Sequence, residues 1–136
     1  MHKPPRKTVL HVDDDPDDRD LIAEAIKNAD CNLLIHQEPD GHEGLSYLHQ
    51  CKAEGHLPCL IILDMNMPRM DGKQASKLIK ADQALSEIPL IVFTTSSYHV
   101  DTQYFKDQGI QMITKPTSLK NLSSVIHQLL EHCPPE

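Results

Sequence analysis

Two short, unbroken apolar runs constrain this chain more than any other feature. They are Cys59-Leu60-Ile61-Ile62-Leu63 and Leu90-Ile91-Val92-Phe93. A strand without polar alternation suits a sheet that is covered on both faces, which is the habit of parallel sheets. Parallel strands need crossover connections, and the intervening sequence supplies helices for them. Leu21, Ile22, Ala25, Ile26 and Ala29 recur at helical spacing, with Asp15 or a neighbouring aspartate as cap and Pro16 in the first turn. Leu119, Leu122, Val125, Ile126, Leu129 and Leu130 form an apolar stripe on a last helix, which Pro134 and Pro135 would stop. Further strands are predicted at 8–12, 32–36 and 112–114, and helices over 41–54, 72–80 and 100–108, with Gly109 at the end of the last of these. The pattern is βα repeated about five times. It predicts an α/β fold, a five-stranded parallel sheet doubly wound with five helices.

In such sheets chemistry gathers beyond the carboxyl ends of the strands. Strand one ends at Asp13-Asp14-Asp15, strand three at Asp64, strand four at Thr94-Thr95 and strand five at Lys115-Pro116. Crowded carboxylates repel, and a hard cation such as Mg²⁺ relieves the repulsion. Beside such an ion Asp64 could attack a phosphoryl group and form an aspartyl phosphate. Lys115 and the Thr94 hydroxyl would then meet the remaining phosphoryl oxygens.

Composition narrows the alternatives. The chain has 136 residues, 20 of them acidic and 13 basic, a net charge of −7. That balance argues against nucleic acid as a direct partner, because phosphate contacts need clustered Lys and Arg. No apolar run approaches a membrane span, and MHKPPRK is not followed by a signal-peptide core, so the expected location is cytoplasmic. Cys31, Cys51, Cys59 and Cys133 form no C-x-x-C pair and are expected to be scattered reduced thiols.

The residues at the strand ends resemble the receiver domain of the two-component response-regulator family. The resemblance is carried by Val12-Asp13-Asp14, by Leu63-Asp64-Met65-Asn66-Met67-Pro68-Arg69-Met70-Asp71-Gly72, by Phe93-Thr94-Thr95-Ser96 and by Thr114-Lys115-Pro116, and runs from about residue 7 to 132. It implies a flavodoxin-like sheet of order 2-1-3-4-5. It implies that Asp64 is the phosphoacceptor, that Asp13 and Asp14 hold Mg²⁺ together with Asp64 and the Asn66 carbonyl, that Thr94 is the switch hydroxyl and that Lys115 binds phosphate. It also implies a cis Lys115-Pro116 bond. Thr95 is expected to modulate access to Asp64. Met112 stands where the family often has a switch aromatic, so the usual ring movement does not transfer directly. The domain layout expected is a loose tail at 1–6, a receiver over 7–133 and no output domain. That resembles stand-alone regulators of chemotaxis and the partners of phytochromes. The implied partners are a sensor histidine kinase or phosphotransfer protein and a downstream protein target, with homodimerisation through helix four, strand five and helix five as a candidate. Val100, Tyr104 and Phe105 fall near that face, with Phe105 also readable as core.

Other readings compete. A calcium loop over Asp13, Asp15 and Asp17 fails because Asp18 stands where glycine is needed and Pro16 interrupts it. Asp17, Asp18 and Asp20 read as a solvated helix start, and Asp71 as a helix cap. His42, His49 and His56 read as exposed residues rather than a metal site, His11 as packed and hydrogen-bonded, and Met65, Met67 and Met70 as packing. A Mg²⁺-dependent aspartyl-phosphate phosphatase would use Asp13 and Asp15 as D-x-D, but Asp64 and Lys115 fit a receiver better. A phosphorylation-independent scaffold is disfavoured by the full acidic set. The reading is therefore a signalling protein and not a metabolic enzyme, catalysing only its own phosphorylation and dephosphorylation.

Overall fold

The five strands are β1 (Thr8–Val12), β2 (Leu34–Glu38), β3 (Leu60–Asp64), β4 (Leu90–Thr94) and β5 (Gln111–Thr114), all parallel, in the order β2-β1-β3-β4-β5. They alternate with α1 (Pro16–Ala29), α2 (Gly41–Glu54), α3 (Gly72–Ala81), α4 (Thr102–Asp107) and α5 (Leu119–Leu129). This is a computed structural model, and it describes residues 7–94, 102–116 and 119–133. The expected tail at 1–6, Thr95, Ser96, Val100, Pro134 and Pro135 lie outside the described residues.

The apolar strands are divided between two cores by the alternation of their side chains. Leu10, Val12, Ile61, Leu63 and Val92 face one side, with Leu48, Ala75, Ile79 and Phe105 from α2, α3 and α4. Val9, Leu60, Ile62, Ile91 and Phe93 face the other, with Ile22 and Ile26 from α1 and Leu122, Ile126 and Leu129 from α5. Each fully buried Leu or Ile contributes about 1.5–3 kcal/mol. Phe105 is fully buried. It belongs to the core and is removed from any docking face.

Caps define the helix starts. Asp15 accepts from Asp17 N, with Pro16 in the first turn of α1. Asp71 and Gln74 form a reciprocal capping box on α3, as the cap reading of Asp71 expects. Gly109 adopts φ 70°, a left-handed conformation that suits glycine, just after α4. β2 begins two residues later than the apolar pattern suggests. Asp30 accepts from Asn32 N at 2.9 Å and its carbonyl from Leu33 N at 3.3 Å, so a turn occupies 30–33 and the ladder starts after it. His56 lies beyond the end of α2, so the three spaced histidines do not share that helix. Among the described residues no helix is long and apolar enough to cross a membrane.

The cysteines depart from expectation. Cys59 and Cys133 form a disulfide with Cα atoms 5.5 Å apart, while exposed Cys31 and buried Cys51 are free. The partners are 74 residues apart, so no local spacing announces them. A short 3₁₀ turn after α5 (Leu130–His132) carries Cys133 to the start of β3. Closing a loop of that length stabilises by up to about 4 kcal/mol through the unfolded chain. In oxidising buffer Cys133→Ser is expected to lower the unfolding temperature by about 10 °C. In dithiothreitol wild type and variant should unfold together, and thermal denaturation in both buffers checks this.

Candidate functional site

Parallel pairing brings the strand ends to one rim: Val12 is level with Leu63, Asp64 with Phe93, and Thr94 with Thr114. Asp13 and Asp14 follow β1, Asp64 ends β3, Thr94 ends β4 and Lys115 follows β5. Carboxylate oxygens of Asp13, Asp14 and Asp64 lie within 4.8 Å of one another. Asp13 and Asp64 are buried and Asp14 is exposed, so the cluster opens to solvent on one side. Lys115 Nζ lies 3.1 Å from Asp13 Oδ2 and 3.3 Å from Asp64 Oδ1. Its shortest contact, 2.8 Å, is to Asp18 Oδ2.

That last contact corrects the sequence reading, which placed Asp18 on a solvated helix start. Asp18 lies in the first turn of α1, which starts directly after the rim residues that follow β1 and so stands within reach of Lys115.

Hydrogen bonds fix the Asp13 backbone and the two buried carboxylates. Asp13 N donates to Glu38 O at 3.1 Å, continuing the β1–β2 ladder. Asp15 N donates to Asp13 Oδ1 at 3.0 Å, and Arg19 Nη1 to the Asp13 carbonyl at 2.7 Å. Asn66 N donates to Asp64 Oδ1 at 3.3 Å. Behind Asp64 the start of α3 comes very close: a Cβ on Gly72 would stand 2.8 Å from Asp64 O and 2.9 Å from Met65 Cα. Only glycine fits without moving the strand end.

Charge divides the two buried carboxyls. Burial, then the negative charge of Asp13, push Asp64 up to about 7, although Lys115 pulls the other way. Asp13 is also penalised by burial. The hydrogen bond from His11, the Asp15 N–H and the charge of Lys115 outweigh that and hold it at about 2. Burial disfavours the Lys115 ammonium, but Asp18, Asp13 and Asp64 more than compensate and hold it above the ordinary lysine range. The rim is thus a crowded acidic set with more negative than positive charge. Hard oxygen donors of this kind suit Mg²⁺ or a similar divalent cation.

The remaining expected residues sort plainly. Thr94 is buried at the rim. Asn66 is exposed beside Asp64, Met112 packs partly buried on the α2, α3 and α4 core, and Thr95 is not described. The Lys115–Pro116 bond is trans, since no peptide bond among the described residues is cis. Trans is the lower-energy isomer by about 0.5–1 kcal/mol, and Lys115 reaches all three carboxylates with it. Asp15 caps α1 with its side chain, which takes it out of the D-x-D arrangement a phosphatase would need. Met67 is buried in the core and Met65 and Met70 pack against it. Sequence reasoning found His11 as a packed residue but missed its partners, Gln37 and Asp13.

The family model for the response regulator receiver domain matches residues 9–127. The chain belongs to the response regulator receiver-domain family. Response regulator Rcp1 of Synechocystis is 32% identical over 127 residues, spanning 90% of this chain and 85% of Rcp1. The structure of the phosphorylated cyanobacterial phytochrome response regulator RcpA superposes with a TM-score of 0.82 at 32% identity, covering 93% of each chain. The Mn²⁺-bound form of Rcp1 gives a TM-score of 0.78 at 29% identity over 92% of each chain. The receiver is therefore a signalling protein of the Rcp1 type, and its acidic cluster could bind a metal.

Proposed function

We propose that this receiver accepts a phosphoryl group on Asp64 and that the resulting aspartyl phosphate switches its protein-binding face. The observation that carries the reading is the meeting of Asp13, Asp14 and Asp64 with Lys115 at the carboxyl edge of the sheet. Asp13, Asp14, Asp64 and the Asn66 carbonyl are the residues that would hold Mg²⁺. The ion, when bound, neutralises crowded carboxylates and phosphoryl oxygen. The chain's own residues do the rest. An Asp64 oxygen attacks phosphorus as the P–N bond of a phosphohistidine on a sensor kinase or phosphotransfer protein breaks, and the leaving imidazole takes up a proton. Lys115 moves from its carboxylates to a phosphoryl oxygen, and the Thr94 hydroxyl donates to another. Movement of Thr94 biases a two-state equilibrium of the α4–β5–α5 face. Met112 takes part by repacking, since a flexible thioether fills space that a ring would have to leave. Thr95 tunes water access to the phosphoryl group.

The expected setting is cytoplasmic, with a kinase as donor and a protein as target. Tyr104, edge-on to Phe105 at 5.3 Å and flanked by the Lys73 and Lys77 ammonium groups, is a candidate contact on the α4 side for a target or a second copy.

Incubation with acetyl phosphate and Mg²⁺ tests the reading. Intact mass should rise by roughly 80 Da, one phosphoryl group on the nucleophile, and the gain should vanish in EDTA and in Asp64→Asn. Absence of the adduct together with failure to bind beryllofluoride would overturn it.

A further inference from the structure

β1 carries an unusual residue for a strand buried on both faces. His11 is 1% exposed, yet its ring is polar on both edges. The hydrogen bonds around it define its state. Gln37 Nε2 donates to the Arg19 carbonyl at 2.8 Å and also lies 3.0 Å from His11 Nδ1. A carbonyl can only accept, so the amide nitrogen, not its oxygen, occupies that place. The second amide proton then points at Nδ1, which must accept. The ring proton therefore sits on Nε2, and Nε2 faces Asp13 Oδ2 at 3.4 Å. Arg19 closes the circuit, because its guanidinium donates to the Asp13 carbonyl at 2.7 Å.

We infer that the chain Arg19 O–Gln37–His11–Asp13 is a positioning relay that sets how tightly the acidic rim holds its divalent cation. The inference rests on the function proposed above and adds residues to it from β1, β2 and α1. Neither His11 nor Gln37 touches the phosphoryl group. They act through Asp13, whose Oδ2 is shared between Lys115 at 3.1 Å and the His11 ring. When the cation arrives and Lys115 is drawn toward phosphate, the His11 N–H remains to hold that oxygen in place. Outer-shell donors of this type orient a ligating carboxylate, and their loss commonly weakens metal binding by 10–100-fold, on the order of the effect expected here. An apolar side chain at position 11 would pack as well but leave both Asp13 and the Gln37 amide short of a partner.

Isothermal titration with Mg²⁺, and with Mn²⁺ as a second probe, separates the possibilities. His11→Leu is expected to raise the Mg²⁺ Kd about tenfold. Gln37→Met, which removes the tautomer bias without touching β1, is expected to raise it about threefold. His11→Gln places an amide N–H where Nε2 stands and should return binding to within about twofold of wild type. Thermal unfolding in EDTA is measured beside each titration. A purely structural histidine would shift the unfolding temperature and leave the Mg²⁺ Kd alone, and that result overturns the relay. Equal weakening by Leu and Gln in folded proteins also overturns it. If wild type itself binds neither cation, the proposed function falls with the inference; if wild type binds and His11→Leu binds equally well, only the inference falls.

Discussion

In EDTA at pH 8, Asp64→Asn should unfold at a higher temperature than the wild type. Burial and the Asp13 charge push the Asp64 carboxyl up to about 7, against about 4 in an unfolded chain. Between these values the folded protein keeps a proton that the unfolded chain releases. Stability therefore falls as pH rises from about 4 to about 7 and stays low above that. A three-unit separation alone is worth about 4 kcal/mol. Asp64 titrates together with Asp13, so part of that belongs to the pair. The expected gain for the neutral amide is on the order of 2 kcal/mol, or about 6 °C. The gap should close below pH 4, where the carboxyl is protonated in both states. Saturating Mg²⁺ should reverse the order, because only wild type keeps the full acidic set. Circular-dichroism melts at pH 3, 6 and 8, with EDTA and with Mg²⁺, read all three statements. A wild type more stable than the variant in EDTA at pH 8 would mean that the rim is not electrostatically strained.

Lys115→Ala should have the opposite sign. The ammonium lies within 3.3 Å of Asp13, Asp18 and Asp64. Removing one partner from a largely buried ionic cluster leaves its charges uncompensated, which costs roughly 3–5 kcal/mol. The lysine is held above its ordinary range, so its stabilisation is fully present below about pH 10 and is lost only at still higher pH. The loss in the variant should thus be visible across the neutral range in EDTA. Mg²⁺ supplies positive charge at the same rim and should restore much of it. Phosphorylation should not be restored to the same degree, because a donor to the phosphoryl oxygens is missing. A rate about a hundredfold lower is expected, read by intact mass at timed intervals with acetyl phosphate. Equal rates in wild type and variant would remove Lys115 from the proposed chemistry.

These predictions depend on features of two kinds. Leu60–Leu63 and Leu90–Phe93 announce buried parallel strands, because a sheet covered on both faces tolerates no polar alternation. The stripes on α1 and α5 announce the crossovers. Parallel strands then force Asp13, Asp64, Thr94 and Lys115 to one rim, so their meeting there was readable from residue type and order alone. Capping by Asp15 and Asp71 was equally legible, since it depends on groups two or three residues away.

What escaped the sequence depends on distance in the chain. Cys59 and Cys133 meet only because α5 ends in a turn over the start of β3. Asp18 is drawn from solvent to Lys115, 97 residues away, and the choice was invisible until helix and strand were packed. The His11–Gln37 contact spans 26 residues and follows from β1–β2 register. Phe105 reads equally well as core or surface until the α4 packing places it. Local periodicity and capping act over a few residues, and so the sequence by itself determined the elements, their alternation and the acidic rim. Side-chain protonation, the tautomer of His11, the partners of Lys115 and the cysteine pairing depend on groups brought together by folding, and only the tertiary structure decided them.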